Sequence, residues 1–363
     1  MLGVPPSVSE WPNGSAMSEN PIFIIGTERS GSNLVRLILN SHSQVFVPHP
    51  PHVLHFLAEK ERDYGDLGDE RNFEALACDV GGLVRRHIHP WDMDIDPQRI
   101  LRSAPSRNLV GLFLALYDEA LRQSGKVRWG CKSTFVLHHV RPILDMRPAT
   151  KFILIVRDPR DVALSSRTSV FNPFHPFFTA ELWNRQQEEA LGLLAELPSS
   201  SIHCLRYESL LDDPASETRE LCEFLGETFE ATMLDYAQTP EAIYTAGLSK
   251  SWKNAGRPIL SGNQGRFRDE LSDREIAWVE AVAGETMDGF GYSTTVRTGE
   301  MPRTPISPIR RAWFRALDVI LRFRVEWKSL LGDRNHWLRW RRRAWVNLLW
   351  IRRRGCSARG VNR

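Results

Sequence analysis

Residues 21–40 read PIFIIGTERSGSNLVRLILN, and the fold is decided there. Pro21 precedes four apolar residues, Ile22–Ile25, with the length and β-branched character of a buried strand. Gly26–Asn33 is a polar loop with two glycines, and Leu34–Leu39 resumes an apolar run whose spacing suits a buried helix. Strand, phosphate-type loop and helix therefore follow one another within twenty residues. Two similar units come later. Lys151–Val156 (KFILIV) stops at an Asp158-Pro159 turn, and Asp161-Val-Ala-Leu164 continues as a helix. Ser201–Tyr207 (SIHCLRY) precedes a helix that opens on the capping signal Asp213-Pro-Ala-Ser-Glu217 and runs to Leu225-Gly226. Short strands alternating with helices predict an α/β fold with a parallel sheet covered on both faces. Residues 53–128 carry helical patterns, such as Leu109–Leu121, and are expected to form a helical insertion over the sheet edge.

A length of 363 residues with 42% hydrophobic and 25% charged residues excludes collagen-like, disordered and coiled-coil classes. Apolar runs such as Phe152–Val156 are far shorter than the ~18 residues of a membrane-spanning helix. The start lacks a signal-peptide pattern, so a soluble, cytoplasmic protein is expected. Residues 1–20, rich in Pro, Ser and Gly, read as a disordered leader. The net charge of +3 conceals a split. Residues 303–363 hold 17 Arg/Lys against 3 Asp/Glu, a local +14, and the rest of the chain is −11. A nucleic-acid binder normally carries its positive charge on the folded body, so nucleic acid is an unlikely partner on this distribution. Five cysteines, widely spaced and without a C-x-x-C pair, argue against a disulfide framework and a zinc site.

The loop Gly26-Thr-Glu-Arg-Ser-Gly31-Ser32-Asn33 keeps the glycine spacing of G-x-x-x-x-G-K-[ST], with Ser32 in place of the lysine and Asn33 in place of the magnesium-binding hydroxyl. Backbone amides and a helix N-terminus still suit an anion, and Arg29 supplies a cation. What is missing is the equipment for a metal-bound β,γ-phosphate. The second element, Arg157-Asp-Pro-Arg-Asp-Val-Ala-Leu-Ser165, sets an arginine at a strand end and a hydroxyl on the next helix, where they would clamp a separate phosphate. Its blander reading is an Arg160/Asp161 surface ion pair beside a helix cap.

Taken together these motifs resemble sulfotransferases that use 3′-phosphoadenosine 5′-phosphosulfate. FIIGTERSGSNLVRLILNSH is similar to that family's 5′-phosphosulfate loop, which implies roles for Arg29, Ser30, Gly31, Ser32 and Asn33. FILIVRDPRDVALS resembles its 3′-phosphate element, including the step from Arg157 to Ser165. LRYESLLDDP resembles the strand whose Tyr207 lies near the adenine, and GNQGRFRDEL the late basic loop, pointing to Arg266. The matches run from residue 21 to about 292 in the family's order, and R-S-G-[ST] is the form of its bacterial and tyrosylprotein branch. The resemblance implies a P-loop-type fold, the phosphosulfate nucleotide as co-substrate, no metal, and transfer of a sulfuryl group to a hydroxyl or amine. Lys132, in Trp129-Gly-Cys-Lys-Ser-Thr134, resembles the lysine that stabilises the leaving group, and Ser251, or Ser249, a serine that assists it.

The tyrosylprotein branch has a glutamate base where this chain has Val47-Pro-His49-Pro-Pro-His52. An imidazole titrating near ~6.5 is a competent base, so His49 or His52 is expected to take the role. The alternatives are a packed histidine pair, or metal binding by His49, His52 and His55 without a supporting carboxylate or cysteine. Two other functions compete: another P-loop transferase or nucleotide kinase, which would want the absent lysine and magnesium ligand, and a nucleotide-binding membrane adaptor that has lost its base. Phe171-Asn-Pro-Phe174-His-Pro-Phe177-Phe178 reads either as an aromatic lid or as core packing.

Beyond a linker at 293–308, residues 309–363 form a basic tail holding six of the twelve tryptophans. Two helical patterns, Ile309–Leu331 and His336–Ile351, place Trp and aliphatic residues together among arginines. Such helices suit an anionic membrane surface through residues 309–351, or attraction to the acidic body of the same chain.

Overall fold

In the computed structural model, which describes residues 20–169, 172–248, 252–295, 307–332 and 335–360, the strand preceding the glycine loop is the middle of a five-stranded sheet. The strands β1 (Ile22–Gly26), β2 (Val45–Phe46), β3 (Arg128–Lys132), β4 (Lys151–Val156) and β5 (Ile202–Arg206) are parallel, in the order β2-β3-β1-β4-β5. The chain winds from β1 towards the β2 edge, returns through β3, and crosses to the other side for β4 and β5. Its direction reverses around β1, and ligands of open parallel sheets bind at the strand ends beside such a reversal.

Both faces of the central strands are covered, which explains their unbroken apolar sequences. Phe23, Ile25, Phe152 and Leu154 enter one core; Ile22, Ile24, Ile153 and Ile155 enter the other. Helix α1 (Ser32–Asn40) follows β1. Between β2 and β3 come α2 (Val53–Leu57), α3 (Glu70–Arg85), α4 (Pro97–Ser103) and α5 (Leu109–Ser124). After β3 come α6 (Val140–Met146), then, beyond β4, α7 (Pro159–Ser166) and α8 (Pro176–Glu196). Beyond β5 lie α9 (Tyr207–Asp212), α10 (Pro214–Leu225), α11 (Pro240–Leu248), α12 (Phe267–Glu270), α13 (Asp273–Gly289), α14 (Pro308–Gly332) and α15 (His336–Gly360).

Helix starts follow local chemistry. The Asp158 and Asp213 side chains accept from the Arg160 and Ser216 amides at the heads of α7 and α10, each with proline in the first turn. Gly226, at φ 74°, closes α10 in the left-handed region. Two strands departed from the sequence pattern. β2 is two residues long, and β3 breaks its apolar run with Arg128, Gly130 and Lys132. The helices of 53–128 also reach further than the sheet edge: in α5, Phe113 lies 6.0 Å from Phe23 and Tyr117 4.9 Å from Trp129, ring to ring, so α5 lies on a sheet face.

The expected leader falls, up to residue 19, outside the described residues, as do positions 296–306 of the expected linker. Helices α14 and α15 dock on the body. On α14, Arg311 binds Glu181 through both terminal nitrogens at 2.6 and 2.9 Å. Asp318 accepts from the Phe174 and His175 amides, and the buried Phe314 stacks on His175 at 4.1 Å. This contact answers the lid question for Phe174 and Phe177, which are buried in packing with α14 rather than held over a cleft; Phe171 lies outside the described residues. On α15, Arg342 donates to the Pro51 carbonyl and covers Phe56, while Arg353 pairs with Asp79 at 3.0 Å.

Candidate active site

The glycine loop leaves β1 under tight steric limits. A Cβ on Gly31, at φ 93°, would fall 2.3 Å from the Tyr207 ring, and one on Gly26, at φ 135°, 2.2 Å from the Ile155 carbonyl oxygen. Arg29 also takes a left-handed conformation, φ 76°, which for a residue with a Cβ marks stored strain. Gly31 caps α1 without a side chain, and among the described residues no side chain accepts from the amides of its first turn. Gly31→Ala is expected to force the loop off Tyr207 and weaken binding of adenosine 3′,5′-bisphosphate roughly tenfold or more, about 1.4 kcal/mol, in calorimetry. Unchanged affinity would refute the role of this close approach.

Arg29, Gly31, Ser32, Asn33, Lys132, Arg157, Ser165, Tyr207 and Arg266, from five separate stretches of sequence, all line one cavity of about 490 Å³ at the strand ends. Ser30 is buried, and among the described residues its Oγ has no hydrogen-bond partner. Arg157 donates to the carbonyls of Arg29 (3.2 Å) and Asn263 (2.7 Å) and stacks its guanidinium 4.4 Å from the Tyr207 ring centre, while its Nε has no partner. Ser165 accepts from Arg29 Nε at 3.1 Å, linking the two phosphate elements directly. Burial lowers the Arg29 pKa, with Glu28 opposing and Arg157 reinforcing the shift. An anion placed among these groups would relieve both the buried charge and the unpaired donors.

Asp161 and Arg160 are not partners. Arg160 is buried and held by Asp158 (2.7 Å) and Glu280 (2.6 Å), so the surface ion pair is replaced by a buried network. Asp161 instead accepts from the amides of Gly265 (2.6 Å) and Phe267 (3.0 Å), tying the loop of Arg266 to the end of β4. Arg266 itself donates to Asn263 Oδ1 and pairs with Glu270. Tyr207 OH accepts from Asn263 Nδ2 at 2.8 Å, so Tyr207 and the late loop are joined.

His49 and His52 occupy a buried histidine cluster behind this cavity rather than its wall. The His49 ring centre is 4.9 Å from His87, 5.5 Å from His89 and 4.9 Å from Trp252, and Trp252 does line the cavity. Neither His49 nor His52 has a partner at Nδ1. Burial, reinforced chiefly by His87 for His49 and by Lys132 for His52, pushes both pKa values well below the ordinary imidazole value, so both rings are neutral at neutral pH. His52 also sits at φ 55°, another strained left-handed residue. His55 stacks on Phe135 at 3.9 Å, and no group of three or more metal-ligating side chains is assembled among the described residues. Ser251 and Ser249 lie outside the described residues.

Several site residues gave no motif signal. Glu28 lines the cavity and accepts from Thr134 Oγ1 at 3.2 Å. Arg36, wholly buried within the apolar run of α1, donates to Glu241 (2.6 Å), Thr245 (2.9 Å), Asn33 Oδ1 (2.8 Å) and the Val47 carbonyl (3.3 Å). Glu241 also bonds His89 at 2.9 Å. Burial alone would raise the Glu241 carboxyl, but His89 and Arg36 outweigh it and hold the pKa at about 2. The visible clue was Arg36 itself, a charge at a position where the helical period demands burial.

Carbohydrate sulfotransferase 1 of Mus musculus is 24% identical to this chain over 353 residues, an alignment covering 81% of this chain and 84% of that protein. The sulfotransferase domain from the curacin biosynthetic pathway superposes with a TM-score of 0.52 at 20% identity, covering 77% of this chain and 99% of that domain. The sulfotransferase domain of the Synechococcus PCC 7002 olefin synthase gives the same TM-score at 18% identity, covering 78% and 99%. These two likenesses share the fold. The model of the sulfotransferase family matches residues 21–231, which takes in the glycine loop, Lys132, the Arg157–Ser165 element and Tyr207, and the chain therefore belongs to the sulfotransferase family.

Proposed function

We propose that this sulfotransferase takes its sulfuryl group from 3′-phosphoadenosine 5′-phosphosulfate and passes it to a hydroxyl, such as that of a carbohydrate, in the cytoplasm. The observation that carries the reading is the convergence of Arg29, Lys132, Arg157 and Arg266 with the side-chain-free head of α1 on one cavity. The amides after Gly31 and the Arg29 guanidinium suit the 5′-phosphosulfate, Arg157 and Ser165 the 3′-phosphate, and Tyr207 the adenine. The mouse relative's name supports a sugar acceptor.

In the reaction an acceptor oxygen attacks sulfur in line, the bond from sulfur to the phosphate oxygen breaks, and the acceptor proton passes to a base. Adenosine 3′,5′-bisphosphate leaves with an added negative charge, which Lys132 is placed to stabilise. For the base, His49 or His52 is the first reading: both imidazoles are neutral at neutral pH and so can take a proton, although they stand behind the cavity wall and their lowered pKa values make them weaker acceptors. Glu28 is the second reading, favoured by its place on the cavity wall. Alanine at His49 and at His52 and glutamine at Glu28, assayed by radiolabelled sulfate transfer, are expected to separate them: the true base costs ~10²-fold or more in kcat. If none of the three changes lowers kcat tenfold, the base lies elsewhere. Calorimetry checks the donor, with adenosine 3′,5′-bisphosphate expected to bind and ATP not.

A further inference from the structure

We propose that the outward faces of α14 and α15 form a docking surface for an anionic lipid bilayer. While one side of each helix packs on the body, the opposite side is apolar and exposed. On α14 the exposed residues Ile309, Trp313, Ala316, Ile320, Phe323, Trp327 and Leu330 recur at alternating steps of four and three, a single stripe opposite Phe314 and Asp318. On α15, Trp337, Trp340, Leu348 and Ile351 are exposed opposite the buried Arg342 and Val346. Within the 25 residues of α14 the stripe from Ile309 to Leu330 extends over about 32 Å. Among the described residues no helix is long and apolar enough to cross a membrane, so this surface would lie on a bilayer rather than span it.

Charge chooses the occupant. The stripe spacing would also suit a coiled-coil seam with a second copy, but its flanks have one sign. Arg310 and Arg324 border it on one side and Arg315 and Arg322 on the other, all exposed. Glu326, on the outer half of α14, is paired with Arg343 at 3.8 Å. Two such seams would set arginine against arginine, where a coiled coil needs opposite charges. Among the described residues Arg315, Arg324 and Arg341 make no hydrogen bond or ion pair, leaving them for anionic headgroups. Tryptophan, with an apolar ring and one donor, favours the headgroup zone, and cytoplasmic leaflets carry the negative potential these arginines fit. The buried side of α15 meanwhile holds the Pro51 carbonyl through Arg342, so the bilayer would be coupled to the loop of His49 and His52.

The test is sedimentation of the full chain with vesicles of phosphatidylcholine and phosphatidylglycerol (3:1) and with phosphatidylcholine alone. The protein is expected to pellet with the anionic vesicles and to be released by salt. Arg315→Ser/Arg324→Ser/Arg341→Ser is expected to weaken that binding on the order of 100-fold. Trp313→Ser/Trp327→Ser/Trp337→Ser/Trp340→Ser should lose it while keeping the thermal midpoint and activity on a soluble acceptor. Failure to pellet, or binding unaffected by both variants, overturns the proposal. So does light scattering that shows a stable dimer dissociated by the tryptophan substitutions, because the stripe then belongs to a second copy. Activity on a soluble acceptor is read separately, so loss of bilayer binding leaves the donor and transfer chemistry standing.

Discussion

Lys132→Met is expected to lower kcat by on the order of 10²–10³-fold while changing the affinity for adenosine 3′,5′-bisphosphate much less. Lys132 stands at the end of β3, beside Ile24 of β1, with its side chain almost wholly buried and lining the cavity. No hydrogen bond or ion pair holds it among the described residues, so its charge is available to a ligand. A cation that meets charge only as the sulfur–oxygen bond breaks stabilises the transition state more than the ground state, and its loss therefore appears in kcat. A comparable loss in KM with kcat intact would instead make Lys132 a residue for donor binding. The methionine also removes a positive neighbour of His52 and His49, so both imidazoles should protonate more readily than in the wild type.

The same histidines make the fold acid-sensitive. His49 and His87 are buried and His52 is half-buried with its Nδ1 enclosed, and the pKa values of all three lie well below 6.5, so between those values and 6.5 the unfolded chain binds more protons than the folded one. Stability is then complete above pH 6.5 and falls as the pH drops beneath it. A ring that stays neutral while its unfolded counterpart protonates steepens that fall by up to about 1.4 kcal/mol per pH unit. The exposed His55, the half-buried His139 and His203 and the buried His175 shift in the same direction. Glu241, with its folded pKa of about 2, contributes its stabilisation in full above pH 4.5 and loses it only as the pH falls from there towards 2. Urea unfolding at pH 7.5 and 5.5 should show a marked fall in midpoint, smaller in His87→Gln. A midpoint constant over that range would mean that the cluster opens to water.

That Arg29 to Asn33, Arg157 and Ser165 would stand at strand ends was legible because they are built from local units. A strand, a glycine loop and a helix place Arg29 to Asn33 by covalent sequence, and Asp158-Pro159 does the same for Arg157 and Ser165. β3 was harder to read because Arg128, Gly130 and Lys132 interrupt its apolar pattern. The Arg36–Glu241–His89 network was invisible, since its members stand far apart in sequence and only packing of α1 against α11 unites them. For the same reason Arg160 and Asp161, adjacent in sequence, look like partners and are not: side chains one residue apart on a helix point in different directions.

Sequence by itself determined the α/β class, the phosphate loop without its lysine, and a basic, Trp-rich tail, because each is a matter of short-range period or composition. Tertiary structure alone decided that the Gly31 backbone lies against Tyr207, that His49 is buried and both it and His52 are neutral, and that the tail turns one face to the body and an apolar stripe outward. Desolvation and charge pairing act through space, and a residue's neighbours in space are not its neighbours in the chain.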